Sequence, residues 1–97
     1  MEFKIELVPN AEEDLNYYKT YEKRLIVKAI LKYLQVDANI ETKKRKQLQL
    51  NPIAPWELRI GNYRIFYEIR REKLVRITAI GYKEHNDLFI RGKKVEI

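Results

Sequence analysis

The segment from residue 56 to residue 69 limits the possible folds of this chain more than any other part of it. Apolar and polar residues alternate on both sides of Gly61 and Asn62, as in two antiparallel strands joined by a two-residue turn. Because such a turn fixes the register, we expect Arg59 to lie directly opposite Arg64. One face of the predicted hairpin is then apolar and needs cover from another element. Its residues are Trp56, Leu58, Ile60, Tyr63, Ile65 and Tyr67.

A third strand is predicted downstream, at about 74–81, where apolar and polar residues alternate again. The connection at 71–73 has odd length, which keeps alternate apolar residues on the core face, whereas an even connection would bury Arg76. With strands at about 56–60 and 63–70, this predicts a three-stranded antiparallel meander. The residues of the third strand on the core face are then Val75, Ile77 and Ala79.

The N-terminal part of the chain predicts one strand and two helices. Alternation at about 2–8 indicates the strand, and Asn10 with Glu13 resembles a capping box at the start of a helix. Apolar spacings of three and four predict helices at about 10–19 and 22–38. The fold class is therefore α+β with the order β-α-α-β-β-β, the helical hairpin packing on one face of the sheet. The residues expected in one core are Leu15, Leu25, Ala29, Trp56, Leu58, Tyr63, Ile65 and Tyr67.

Composition narrows the chemistry that is available. A chain of 97 residues forms one domain, 1–97. It has no cysteine and one histidine, which excludes disulfides, thiolate zinc sites, cysteine nucleophiles and multi-histidine metal sites, and we expect no cofactor. No apolar run approaches the ~20 residues of a transmembrane helix, and no signal-peptide pattern opens the chain. We therefore expect a cytoplasmic protein without a membrane partner.

The net charge of +6 is concentrated in the second part of the chain. Residues 1–40 hold 6 Lys/Arg and 7 Asp/Glu, whereas residues 41–97 hold 14 and 7. This asymmetry favours a polyanion or an acidic protein as partner, although small proteins are also basic without such a partner. The densest basic cluster lies in a predicted loop at 39–55, which either binds RNA phosphates or only aids solubility. The candidate RNA-binding residues are Lys43, Lys44, Arg45 and Lys46, together with Arg76 of the third strand.

The face of the sheet opposite the core is expected to be open to solvent. Arg59 and Arg64 lie side by side on it, a position in which like charges are destabilising. Two guanidiniums at a fixed spacing match an anion with several oxygens, such as phosphate, unless both extend into water. Lys83 and His85 follow the third strand and could reach this face, and imidazole is suited to proton transfer near neutral pH. The expected open-face residues are Glu57, Arg59, Arg64, Phe66, Glu68, Arg76, Thr78 and Ile80.

Two segments form a distinctive pair, WELRIGNYRIFYEI at 56–69 and AIGYK at 79–83. They resemble the corresponding segments of the RelE/ParE superfamily of bacterial toxins, and the order of elements is similar over the whole chain. The resemblance implies the toxin of a type II toxin–antitoxin module, with a cognate antitoxin as its partner. Toxins of the RelE branch are endoribonucleases that cleave messenger RNA on the ribosome. Toxins of the ParE branch inhibit DNA gyrase and have no nuclease activity.

The RelE pattern implies roles for individual residues. Arg64 matches the arginine that stabilises the scissile phosphate, Arg59 matches a basic residue of the preceding strand, and Lys83 fills a further basic position. Two positions depart from the pattern. Glu57 stands where a second basic residue is usual, and Phe89 stands near the tyrosine that acts on the attacking 2′-hydroxyl.

The departures leave three functional readings open. In the first, Glu57 is the base and His85 the acid of a metal-independent endoribonuclease that releases a 2′,3′-cyclic phosphate and a 5′-hydroxyl. Its catalytic residues are then Arg64, Arg59, Lys83, His85 and Glu57, and its partners are the ribosome and messenger RNA. In the second reading the chain is a ParE-like gyrase inhibitor, which the departures at Glu57 and Phe89 favour. In the third it is a binding module that has lost catalytic activity.

Overall fold

The computed structural model describes residues 2–96, which form a mixed seven-stranded sheet with two helices. The elements in chain order are β1 (Lys4–Leu7), α1 (Pro9–Asn16), α2 (Thr20–Leu34), β2 (Arg45–Gln47), β3 (Trp56–Ile60), β4 (Tyr63–Arg70), β5 (Leu74–Glu84), β6 (Asp87–Ile90) and β7 (Lys93–Val95). The strands from β2 to β7 pair in sequence order, and β1 joins β5 in parallel. The predicted α+β class is confirmed, and the sheet contains three strands more than the sequence predicted.

The register of the central hairpin is confirmed. Trp56 pairs with Tyr67, and Arg59 pairs with Arg64, as the two-residue turn requires. Gly61 in that turn has a φ of +55°, a conformation that glycine adopts at little cost. The core face of this hairpin packs against the helices, and its innermost residues are fully buried. They are Leu58, Ile65 and Tyr67.

The helices lie where the sequence placed them, with different ends. Helix α1 begins at Pro9, so the predicted capping box at Asn10 is wrong: proline has no N–H to satisfy and suits the first helical turn. Helix α2 ends at Leu34, well before the predicted residue 38. Its buried stripe includes Ile26 and Ala29, but Leu25 is 45% exposed, which corrects its assignment to the core.

A β-bulge at Thr78 divides β5 into two registers. Tyr67 pairs with Ile77 but Phe66 pairs with Ala79, so Thr78 is the extra residue. The odd connection at 71–73 is confirmed, because Ile77 is buried in the helix-side core. Beyond the bulge, each side chain of β5 lies on the face opposite to the one that simple alternation predicts. Ile80 therefore lies in that core and Ala79 on the opposite face, the reverse of the prediction for both residues.

The three additional strands lie in segments predicted to be loop and tail. Strand β2 lies in the predicted 39–55 loop and pairs with β3. Strand β5 continues past Gly81 and returns as β6 through His85 and Asn86, whose φ values of +53° and +70° are typical of a type I′ turn. Strand β7 then forms the edge of the sheet.

The face opposite the helices is open to solvent only in part, contrary to the prediction. The segment 48–55 and the strands β6 and β7 cover it with a second apolar cluster. Phe66, expected on an open face, is completely buried there. The buried members of the cluster are Ala54, Phe66, Ala79 and Leu88, and the partly buried ones are Leu48, Ile53, Ile90 and Val95. The sheet therefore has an apolar core on each side.

Candidate functional site

The two arginines that face each other across the central hairpin share one carboxylate. Glu57 is 4% exposed, and its Oε2 lies 2.6 Å from Nε of Arg59. The other carboxylate oxygen lies 4.0 Å from Nε of Arg64. Because an ion pair on each side offsets the cost of burying this carboxylate, the repulsion expected between the two arginines is relieved within the protein. The predicted pairing of Arg59 with Arg64 is confirmed, whereas the predicted exposure of Glu57 is wrong.

Arg64 braces the hairpin turn that precedes it. Its Nη1 donates hydrogen bonds to the carbonyl oxygens of Gly61 and Tyr63, each at 2.9 Å. The side chain is only 14% exposed. This burial lowers the pKa of the Arg64 guanidinium, and the charge of Glu57 opposes the shift. Arg59 is 44% exposed, so it is the more accessible of the two cations.

Lys83 lies on the same side of the sheet, close to that turn. Gly81 pairs with Arg64, so Lys83 is two residues further along β5 and faces the same way. The Lys83 N–H donates to the carbonyl oxygen of Asn62 at 2.8 Å, which ties β5 to the hairpin turn. Four of the five predicted catalytic residues therefore share one end of one face. They are Glu57, Arg59, Arg64 and Lys83.

His85 and Phe89 lie elsewhere. His85 is exposed in the β5–β6 turn, four residues beyond the pair of Arg64 and Gly81, or about 13 Å along the strand. Phe89 pairs with Tyr82 and faces the helices, on the side of the sheet opposite Arg64. The structure thus does not bring His85 together with Glu57, and a tyrosine at position 89 would not point toward Arg64.

The basic stretch at 43–46 is not one continuous patch. Arg45 is directed inward, where its Nε and Nη1 donate to the carbonyl oxygens of Ile40 and Tyr33 at 2.8 and 2.9 Å. Its guanidinium therefore holds the end of α2 and the following loop. Lys46 lies on the opposite face, paired with Glu57 across the strands. Lys43 and Lys44 remain on the exposed surface.

Arg76 is distant from the two hairpin arginines and is already paired. It lies near the start of β5, with Nε 3.0 Å from Oε1 of Glu6 and Nη1 3.8 Å from Oε2 of Glu68. Two carboxylates thus compete with any phosphate for this guanidinium. The RNA-binding role expected for Arg76 stays a prediction.

The helix side of the sheet carries two depressions that no local sequence pattern indicates. A cleft of about 650 Å³ lies between the start of α2 and the β5–β6 hairpin, and Tyr17, Tyr18, Tyr82 and Phe89 line much of it. At its margin the Tyr63 hydroxyl donates to Glu22 at 2.8 Å, and burial together with this bond raises the pKa of Tyr63 to about 12. A second groove, of about 470 Å³, lies beside the C-terminal part of α2.

Within residues 2–96, no group of three or more histidine, acidic or cysteine side chains is arranged to hold a metal ion. Over the same range, no helix is both long enough and apolar enough to span a membrane.

Comparison with known proteins adds the family and the fold. Residues 5–86 match the family model described as the ParE toxin of the type II toxin–antitoxin system parDE. A crystal structure of the RelBE2 toxin–antitoxin complex from Mycobacterium tuberculosis contains a similar chain, with a TM-score of 0.72 and 19% sequence identity. The alignment covers 86% of this chain and 100% of that one, which shows a shared fold. A search of curated proteins finds no match.

Proposed function

The chain belongs to the ParE toxin family of type II toxin–antitoxin systems, and we propose that it inhibits DNA gyrase and does not cleave RNA. Gyrase as the target follows from the resemblance to the ParE branch. The contacts of the side chains around Arg64 support the absence of RNA cleavage.

The observation that carries this proposal is the position of Glu57. A phosphate bound between Arg59 and Arg64 would need to displace or approach a buried carboxylate that already pairs with both. Like charges at that distance repel, and the repulsion is stronger away from water than in it. Arg64 also has its Nη1 committed to two carbonyl oxygens. These contacts suit a rigid hairpin better than a site for a transition state with extra negative charge.

The distribution of groups capable of proton transfer also supports the proposal. A general acid or base must lie within hydrogen-bonding reach of the proton that it transfers. His85 is about 13 Å along β5 from the Arg64 pair, by the rise of a strand. Glu57 is buried and paired, and position 89 faces the other side of the sheet.

A RelE-like endoribonuclease is the second candidate, and one observation favours it. Arg59 is 44% exposed and lies on the same face and end of the sheet as Lys83. Together they offer two cations to an RNA phosphate. In this reading the ribosome and messenger RNA are the partners.

A cognate antitoxin is the partner that we propose under either reading. The similar chain of known structure comes from a toxin–antitoxin complex, and a toxin of a type II system requires a neutralising protein. The basic character of the chain, +6 at neutral pH, favours an acidic partner.

Two assays on the purified chain test the proposal. We expect inhibition of gyrase-catalysed supercoiling, or accumulation of gyrase-bound DNA breaks, together with intact messenger RNA in a ribosome-dependent cleavage assay read by primer extension. A cleavage ladder without any effect on gyrase would overturn the proposal in favour of the nuclease. Activity in neither assay, with growth inhibition retained, would point to a different target.

A further inference from the structure

The cleft between the start of α2 and the β5–β6 hairpin is lined mainly by aromatic rings. Tyr17 and Tyr18 come from the connection between α1 and α2, whereas Tyr82 and Phe89 lie side by side on the paired strands β5 and β6. The volume of about 650 Å³ falls within the ~300–1,000 Å³ of typical small-molecule sites. The cleft is therefore large enough for a small ligand, and its walls offer that ligand aromatic surface.

Contacts between the rings fix the shape of this cleft. The ring centroids of Tyr17 and Tyr18 lie 5.3 Å apart, and Tyr18 also contacts Tyr63 at 5.6 Å. Tyr63 in turn lies 5.3 Å from Tyr82, and all three contacts are edge-to-face, a favourable geometry for aromatic pairs. Gly92 leaves room for Tyr17, since a Cβ at Gly92 would lie 2.8 Å from the Tyr17 hydroxyl oxygen. The aromatic lining is thus formed before any ligand binds.

Each wall of the cleft also carries one carboxylate. Glu22 lies in the first turn of α2, and Glu84 is the exposed last residue of β5. Glu22 accepts hydrogen bonds from the Tyr63 hydroxyl at 2.8 Å and from the backbone N–H of Lys19 at 3.1 Å, but both donors are uncharged. Within residues 2–96, neither carboxylate forms an ion pair. One cation, Lys19, and two carboxylates line the cleft, so its charged side chains sum to −1 in a chain of +6.

Aromatic rings and unpaired carboxylates together favour a cationic ligand. The π face of an aromatic ring attracts an ammonium group, and the ring also covers the methylene groups beside it. An anion is disfavoured, because Glu22 already holds the position at the start of α2 where a helix attracts negative charge. A neutral aromatic ligand would contact the rings but would leave Glu22 and Glu84 without a cation. The chemistry therefore requires positive charge on an aliphatic stem.

We infer that the cleft binds a free aliphatic diamine, with one ammonium group at Glu22 and the other at Glu84. The methylene chain between them crosses the aromatic lining, and each ammonium donates charge-assisted hydrogen bonds to a carboxylate. A lysine side chain of a partner protein brings only one cation and would leave one carboxylate unpaired. The inference goes beyond the proposed action on gyrase and does not depend on it.

Isothermal titration calorimetry of the full chain tests the inference with diamines of increasing length, from 1,4-diaminobutane to 1,8-diaminooctane. The monoamine and the diol of each length are the comparison ligands. We expect the tightest diamine to bind at least fivefold more tightly than the monoamine of the same length, since the second ammonium pairs with the second carboxylate. The diol, which has no charge, should not bind measurably.

Removal of one carboxylate locates the binding. Glu84→Gln should weaken the binding of the tightest diamine at least fivefold and reduce its advantage over the monoamine to less than twofold. The matched control is Glu72→Gln, because Glu72 is exposed in the β4–β5 turn, about 30 Å from Glu84 by the rise of β5. This variant loses the same charge and should change the binding less than twofold.

A second pair of variants tests the contribution of the rings. Tyr17 is 56% exposed, so its replacement should leave the fold intact. Tyr17→Leu removes the π face and should weaken diamine binding at least threefold, whereas Tyr17→Phe keeps the face and should alter the binding less than twofold. Circular dichroism checks that each variant is folded.

Four results would overturn the inference. Equal binding of the diamine and the monoamine would indicate a site for a single cation, such as a lysine side chain. Equal effects of Glu84→Gln and Glu72→Gln would reduce the binding to the net charge of the chain. Unchanged binding by Tyr17→Leu would exclude the rings from the site. No measurable binding of any diamine at millimolar concentration would exclude the site itself.

Discussion

The carboxylate of Asp14 on α1 accepts the backbone hydrogen bond that Ile80 of β5 would otherwise give to a neighbouring strand. Its Oδ2 accepts the Ile80 N–H at 3.0 Å, in the interval of β5 between the segment that pairs with β1 and the segment that pairs with β6. Its other oxygen lies 2.9 Å from Nε of Arg91, in the turn between β6 and β7. Asp14 therefore joins the first helix to both the centre and the C-terminal edge of the sheet, although it is only 2% exposed.

Removal of this carboxylate should destabilise the fold. Asp14→Ala leaves the buried Ile80 N–H without an acceptor, and we expect the free energy of unfolding to fall by about 1–3 kcal/mol. Glu13→Ala is the matched control, because Glu13 also pairs with Arg91, at 2.6 Å, but is exposed. Urea denaturation followed by circular dichroism measures both variants. Equal losses would mean that the ion pairs with Arg91, and not the Ile80 bond, account for the effect.

The same carboxylate should give stability a definite dependence on pH. Burial raises the pKa of Asp14 above its usual 3.8, while the bond from Ile80 and the charge of Arg91 oppose the shift. The folded state then holds the proton more tightly than the unfolded state. The stabilisation that the raised pKa of Asp14 gives to the folded state is therefore fully present below pH 3.8. It is lost as the pH rises through the pKa of the folded state.

Asp14→Asn provides the reference for that measurement, since an amide does not titrate. The unfolding free energy of the natural chain minus that of Asp14→Asn should decrease as the pH is raised from 3 to 7. A difference that increases over this range would mean that the pairing with Arg91 outweighs the cost of burial.

Arg64 should contribute to stability as well as to any surface chemistry. Arg64→Ala removes two hydrogen bonds to carbonyl oxygens and one of the two cations beside buried Glu57. We expect a loss of about 1–3 kcal/mol in the free energy of unfolding. Arg59→Ala should cost less, about 0–1 kcal/mol, because that guanidinium is largely in water. A loss of growth inhibition by Arg64→Ala is interpretable only after its thermal stability has been measured.

Neutralising Glu57 should increase the affinity of Arg59 and Arg64 for RNA phosphates. Glu57→Gln keeps the side-chain volume and removes a negative charge whose repulsion of a phosphate is worth ~1 kcal/mol at 4 Å even in water, so RNA binding should improve by about fivefold or more. Glu68→Gln removes the same charge beside Arg70 and Arg76, at the other end of the face. Anisotropy with a labelled 12-nucleotide RNA compares the two. An equal gain in both variants would mean that only the net charge matters.

Gly81 should not tolerate a side chain. A Cβ at this position would lie 2.8 Å from the carbonyl oxygen of Phe89 and 2.9 Å from Cδ1 of Leu88, so Gly81→Ala should cost about 1–3 kcal/mol and loosen β6. Gly61→Ala meets no atom within 4 Å and bears only the strain of its positive φ, ~1–2 kcal/mol. Amide hydrogen exchange distinguishes them. Faster exchange in β6 is expected for Gly81→Ala alone.

The parts of the fold that the sequence could predict are those fixed by short-range rules. The two-residue turn at Gly61 and Asn62 sets one register, and it placed Arg59 opposite Arg64 correctly. The bulge was not predictable, since Thr78 fits either face and its neighbours Ala79 and Ile80 are both apolar. One inserted residue then reversed every side chain that follows it in β5.

The candidate site was harder to predict because its environment comes from distant segments. Glu57 stands between two apolar residues, a pattern typical of a side chain that faces solvent. The segment 48–55 nevertheless folds over the face that carries Glu57, with Ile53 and Ala54 against Phe66. Strands of three or four residues, such as β6 and β7, are too short for alternation to distinguish them from loop. The positive φ values of His85 and Asn86 mark a tight turn, and only the asparagine gave a local signal for it.

The parallel pairing of β1 with β5 has a consequence for the order of events during synthesis. Lys4 pairs with Leu74 and Leu7 with Ile77, so β1 cannot pair until β5 has been synthesised. A nascent chain that does not yet contain β5 has no strand with which β1 can pair. Contacts between residues so far apart in sequence also form slowly. The complete sheet therefore forms only after residues 74–77 have been synthesised. A chain that stops before residue 74 lacks the central strand to which β1, β4 and β6 all attach.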